Sequence, residues 1–162
     1  MTLEIHHRTE AEVIASEGPV VFRIINGART DVEDVARVFE LVDGILERQA
    51  AAGLFVAVEH GSPLPSAEVR RFVGERMPLY GERLVVGYAL TGLGFWASAA
   101  RLFTVGLAKL GRITTIIENS TEAIAERMAL ELVGLDGQAL ARRVEELRTQ
   151  VGAEVQAGDV RG

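Results

Sequence analysis

The sequence predicts an α/β fold. The sheet is mixed: an N-terminal antiparallel meander followed by parallel strand–helix units, with an extra helix at the C-terminal end. Three observations predict it. Three short strand-like runs separated by tight turns stand first. Short apolar runs then alternate with stretches of helical period. A last helical stretch follows a glycine-containing break at Gly134 to Gly137.

The elements follow in order. "LEIHHRT" and "AEVIAS" read as two strands joined tightly around Glu10, and "GPVVFRIING" as a third, ended by Asn26-Gly27. Val32, Val35, Phe39, Val42, Leu46 and Gln49 then share one face of a helix expected from about Asp31 to Ala51, and Thr30 with Glu33 has capping-box spacing. "LFVAVE" is a buried strand, and "HGSPLP" the loop after it. "SAEVRRFVGERM" is a short helix with Val69, Phe72, Val73 and Met77 inward, N-capped by Ser66 and stopped by Pro78. "RLVVGYAL" is a second buried strand, Leu90 to Gly111 a helix, and "ITTIIE" the last strand. Asn119 and Glu122 again have capping-box spacing and open a helix through about Leu132. A final helix is expected from about Gln138 to Val151, where Leu140, Val144, Leu147 and Val151 form a short apolar seam expected to pack on the chain's own domain. The organisation is thus a domain over residues 1–134, then an amphipathic helix and frayed tail over 135–162.

Composition narrows the function classes. The chain has 162 residues, 48% hydrophobic and 25% charged, which suits a single globular domain with a real core. Its net charge of -6, with Lys and Arg interleaved among acids, argues against a nucleic-acid binder. There is no cysteine, which excludes disulfides, thiol catalysis and cysteine-ligated metals. The N-terminus "MTLEIHHRTEAEV" has no signal-peptide pattern, so the expected location is cytoplasmic.

The stretch "LTGLGFWASAARLFTVGLAKLG", Leu90 to Gly111, carries only Arg101 and Lys109 as charges and admits three readings. A membrane span is opposed by the central Arg101. A dinucleotide turn is suggested by Gly92 and Gly94 in a G-x-G-x-x-A pattern, with Glu118 near the place of a ribose-binding acid, but Phe95 and Trp96 crowd the turn. The preferred reading is a core helix over residues 93–110 with a second apolar face, which meets the final helix, a second subunit, a protein partner or a lipid surface. Phe95, Trp96, Leu102 and Phe103 are its expected interface residues.

Parallel strands place function at their carboxyl ends, which here carry Asn26, Glu59, His60, Thr91, Glu118 and Asn119. Glu59, His60 and Glu118 are of the right types for acid–base or metal chemistry, but polar loop residues and caps are the stronger account of them. His6 and His7 are adjacent in a strand, face opposite sides and read as solvated.

The strand and helix order, and the texture of "VVFRIINGARTDVEDVARVFELVDGILER", "LFVAVEHGSPLPSAEVRRFV", "RLVVGYALTGLGFWASAARLFTVGLAKLG" and "ITTIIENSTEAIAERM", resemble the STAS-like or SpoIIAA-like family, the domain of anti-sigma-factor antagonists and their small stand-alone bacterial relatives. The resemblance covers about Val20 to Leu132. It implies protein binding or signalling rather than catalysis. Antagonist members carry a phosphorylatable serine in an Asp-Ser-Ser-Gly turn. The matching place here reads "EHGSPLPSAEV", without that pattern, and Ser62 and Ser66 are its serines. Related domains are also associated with lipid binding. The expectation is therefore a non-enzymatic regulatory or interaction module that self-associates or docks a protein partner, with no metal or cofactor. The alternatives are a dinucleotide-dependent enzyme using Gly92 and Gly94, and a peripheral lipid binder through helix 93–110.

Overall fold

The computed structural model describes residues 1–59, 62–90, 106 and 112–159, with 152–159 as backbone alone. Its six strands are β1 (Glu4–Arg8), β2 (Glu12–Glu17), β3 (Val20–Ile25), β4 (Ala52–Val58), β5 (Leu84–Leu90) and β6 (Thr114–Glu118). Its long helices are α1 (Val32–Leu46), α2 (Ala67–Arg76), α3 (Thr121–Glu131) and α4 (Gly137–Asp159). The sheet runs β1-β2-β3-β4-β5-β6, in sequence order. β1, β2 and β3 pair antiparallel, and β3 to β6 pair parallel. The expected mixed sheet, meander first, is what forms.

The local chemistry explains the joints. Glu17 pairs with Val20 across a two-residue turn, where Gly18 takes φ +55°, a conformation that favours glycine. β3, β4 and β5 are buried on both faces, as continuous apolar runs in the centre of a parallel sheet should be. Helix α1 ends at Leu46 rather than near Ala51. Fifteen helical residues rise about 22 Å, which already matches the roughly 23 Å of a seven-residue strand. The chain must therefore turn back before β4.

Both expected caps shift by one residue, and only the first forms a capping box. The α1 cap is Asp31, whose Oδ1 accepts from the Asp34 N–H, while Asp34 Oδ2 accepts from the Asp31 N–H. Thr30 does not serve because its hydroxyl accepts from Arg23 Nη2 inside the protein. The α3 cap is Ser120 rather than Asn119: its Oγ accepts from the Ala123 N–H and donates to Glu122 Oε2. Ser66 caps α2 as expected, accepting from the Val69 N–H. The final helix continues to Asp159, past the expected end at Val151.

Strand alternation builds two cores. One face carries Val13, Ala15, Phe22, Ile24, Phe55, Ala57, Val85 and Ile116 against Ile124 and Met128 of α3 and Leu140, Val144, Leu147 and Val151 of α4. The apolar seam of the final helix is thus spent on its own sheet. The other face carries Ile14, Val21, Leu54, Val56, Val86 and Tyr88 against Val38, Phe39 and Val42 of α1 and Val69 of α2. The result is three layers, helices on each side of the sheet. Among the described residues, no helix is long and apolar enough to cross a membrane.

Glycine sets the spacing on the α3 side. A Cβ at Gly87 would collide with Ile124 Cγ2 and stand 2.8 Å from Met128 Sδ, while one at Gly53 would stand 2.7 Å from Leu132 Cδ1. We expect Gly87→Val to destabilise the protein by about 2 kcal/mol through overpacking, despite valine's higher strand preference. A lower urea midpoint with unchanged slope is the expected readout, and an unchanged midpoint would show that α3 can yield.

Candidate functional site

A cavity of about 200 Å³ lies between the sheet and α1, α2 and the loop after β4. Its floor is the carboxyl-terminal half of three parallel strands: Ile25 of β3, Val56 and Val58 of β4, and Tyr88 and Leu90 of β5. Phe39 of α1 and Val73 of α2 contribute to its walls, and the exposed Pro63 to one rim. Gly106 also lines it, the one described residue between 91 and 111. Helix α2 covers the space loosely. Only Val69 of its ten residues is buried, against five buried residues in α1. Its C-terminal end is tied down better. Arg76 Nη2 donates to Asp43 Oδ2 at 2.6 Å, the Tyr80 hydroxyl donates to Asp43 Oδ1 at 2.8 Å, and the Arg76 guanidinium lies over the Phe39 ring.

Among the described residues, the polar side chains on the cavity wall are few: Arg23, Thr30, Tyr88 and, at the rim, Arg70. Arg23 is 6% exposed and is held from behind by Glu12, itself 3% exposed. Arg23 Nε donates to Glu12 Oε2 at 2.7 Å, and Nη2 donates to the Thr30 hydroxyl at 3.1 Å. The pair sits on neighbouring antiparallel strands, so the pleat sends both side chains to the α1 side. Burial pushes the Tyr88 phenol up to about 12, offset in part by the nearby Arg23 charge. Sequence reasoning missed this centre. Its signal was an arginine in the middle of the apolar run "VVFRII", which must find a counter-charge to be buried.

His7 joins the same cluster from the edge strand. A register shift in β1 between Ile5 and His7 breaks strict alternation, and His7 Nε2 stands 3.6 Å from Glu12 Oε1. His6 instead meets the Ser16 hydroxyl at 2.7 Å. His7, Glu12 and Asp34 bring one ligand-type atom each within 4.8 Å of one another. A cation there would compete with Arg23 for Glu12 and with the α1 cap for Asp34, so the cluster is fully accounted for as structure.

The other expected site residues go elsewhere. Glu59 pairs with Arg148 of α4 at 2.6 Å, although too obliquely for a linear hydrogen bond, and Arg148 Nη1 donates to the Thr121 hydroxyl. Glu118 pairs with Arg127 at 3.1 Å. The two strand-end acids are thus held by different arginines rather than gathered. Ser62 is buried and its Oγ accepts from the Gly27 N–H at 2.8 Å, whereas Ser66 is exposed at the head of α2. His60, Gly92, Gly94, Phe95, Trp96, Leu102 and Phe103 lie outside the described residues.

Fold and site together define a three-layer α/β domain with a concave, mostly apolar cavity, the kind of place that holds small molecules, over the carboxyl ends of its parallel strands. No protein-family model and no solved structure matches the chain. A curated relative is the N-(5'-phosphoribosyl)anthranilate isomerase of Ruegeria sp. (strain TM1040), 33% identical over 81 residues. The match takes in 43% of this chain and 38% of that enzyme, so the chain spans well under half of its relative. The expectation of a non-enzymatic protein is corrected by this match, because the similar protein is an enzyme. The non-enzymatic expectation rested on the family resemblance, and a cavity assembled from separate strands leaves no contiguous motif in the sequence to set against it.

Two outcomes are expected of the buried groups. Arg23→Met strands the Glu12 carboxylate and should cost about 3–5 kcal/mol, whereas adding Glu12→Leu should restore much of it. Chemical denaturation of the single and double variants checks this. The second concerns alkaline pH. Tyr80, like Tyr88, is pushed up to about 12, mainly by burial, from an ordinary value of 10.0. The unfolded phenols ionise first, so stability present below pH 10 should be lost as the pH rises toward 12. In native protein the phenolate absorbance should stay absent up to pH 11, and an early rise with intact structure would contradict the burial.

Proposed function

We propose that this protein is a STAS-like regulatory module that binds a small, mainly apolar molecule in the cavity under α2 and couples its occupancy to docking of a partner. The carrying observation is the cavity itself. A well-packed core leaves few voids larger than a water molecule, and this one stands at the strand ends with a loosely seated helix above it. The mixed sheet and its helices on both faces support the family reading. The docking part rests on the sequence of residues 93–110, where Phe95, Trp96, Leu102 and Phe103 are the expected interface residues.

A second reading is favoured by the isomerase match: the same cavity holds the reacting molecule of a small-molecule enzyme. The dinucleotide alternative has less support. The described strands run in sequence order with no reversal, and doubly wound sheets hold dinucleotides where the order reverses.

Occupancy is tested by titrating the protein with small aromatic compounds by calorimetry. Wild type should bind, while Val56→Phe, which fills the floor, should lose at least about tenfold in affinity at near-native stability. Val73→Trp tests the same point from a different, partly exposed wall position. Unchanged binding in both variants would place the ligand elsewhere. Incubation with N-(5'-phosphoribosyl)anthranilate separates the two readings: turnover lost in Val56→Phe would favour the enzyme, and binding without turnover the regulatory module.

A further inference from the structure

We infer that the ligand is a small carboxylic acid, with an apolar body of about one ring inside the cavity and its carboxylate at the rim on Arg70. This rests on the cavity being a ligand site, as proposed above.

The charge of the lining carries the inference. Two arginines, Arg23 and Arg70, and no Asp or Glu line the cavity among the described residues. Composition does not explain that, because the chain has 23 acids against 17 Lys and Arg. Nor could the flanking stretches supply an acid: residues 60–61 and 91–111 contain no Asp or Glu at all. The site therefore presents cations to a ligand and no carboxylate of its own.

The two arginines are not equivalent. Arg23 is buried and neutralised by Glu12 at hydrogen-bonding distance. A second carboxylate brought beside it would be desolvated next to Glu12, a like charge, and is disfavoured. Arg70 is exposed, and its Nη1 donates to the Pro65 carbonyl at 2.9 Å. No described carboxylate lies within ion-pair distance of it, so most of its five N–H donors remain for an anion. It also sits in the N-terminal part of α2, behind the Ser66 cap, where the helix dipole adds to its positive potential rather than offsetting it. Size sets the rest. An apolar cavity of about 150 Å³ takes up benzene, and this one is about 200 Å³, enough for a ring and a short substituent reaching the rim.

The probes are phenylacetate, phenylethanol and phenethylamine, titrated calorimetrically at neutral pH and low salt into wild type, Arg70→Met and Val56→Phe. We expect phenylacetate to bind about five- to tenfold tighter than phenylethanol, and the amine most weakly. Arg70→Met should bring the acid to within about twofold of the alcohol while leaving the alcohol unchanged, and Val56→Phe should weaken all three. Equal binding of acid and alcohol by wild type, or an acid preference that survives Arg70→Met, would overturn the inference and leave the cavity reading standing. Failure of wild type to bind any of the three, or undiminished binding in Val56→Phe, would overturn both.

Discussion

Each parallel strand of this sheet is added beside the one before it, in one direction, and the crossovers between them are bound to be right-handed. Those two conditions send α1 and α2 to the same side. They leave the opposite side to whatever follows β6, and α3 and α4 fill it. The two faces are consequently closed by different means. The α3–α4 side is sealed by long apolar seams and by glycines that let α3 approach the sheet. The α1–α2 side depends on short connecting helices whose lengths are fixed by the strands they cross. Where α2 is too short and too polar to fill its share, a space remains over the carboxyl ends of β3, β4 and β5.

That space is bordered by a buried ion pair, and the pair constrains more than its own neighbourhood. Glu12 and Arg23 link the antiparallel half of the sheet to the parallel half. Through Thr30 the arginine also fixes the chain entering α1, which is why the cap passes to Asp31. Replacing such a pair with hydrocarbon is often neutral or stabilising. The arrangement is therefore weak evidence for a stability role and better evidence for specificity: it sets the register between β2 and β3 and the place where α1 starts.

Strands were the most legible part of the sequence, because continuous apolar runs and turn residues report local conditions. The existence of the four described helices was legible too, but their edges were not. Thr30 and Asp31 are both good caps in isolation, and only the tertiary pull of Arg23 decides between them. Asn119 and Ser120 are likewise both good caps in isolation, and Ser120 is the one used. The seam of the final helix read correctly as packing on its own domain, since Leu140 to Val151 can serve one apolar face. The cavity was illegible for a different reason. Its described lining comes from six separate stretches of chain, most of which read alone as ordinary core or loop. Glu59 and Glu118 stood out as strand-end acids, yet their partners Arg148 and Arg127 come from helices whose placement the local pattern does not give.

The asymmetry of α2 links the loose roof to a way in. Its C-terminal end is fastened to α1 through Asp43, Arg76 and Tyr80, and Phe39 stacks near Phe72 and Tyr80 there. Among the described residues, its N-terminal end is held chiefly by Val69 and by the Ser66 cap, which is a bond within the helix itself. A helix fastened at one end and lightly seated at the other opens most cheaply at the light end, since few apolar contacts must be broken there. That end carries Pro63 to Pro65 and Arg70. Under the proposed reading, a ligand entering by this route would meet the guanidinium of Arg70 and the apolar Pro63 to Pro65 together, a polar and an apolar contact at one mouth.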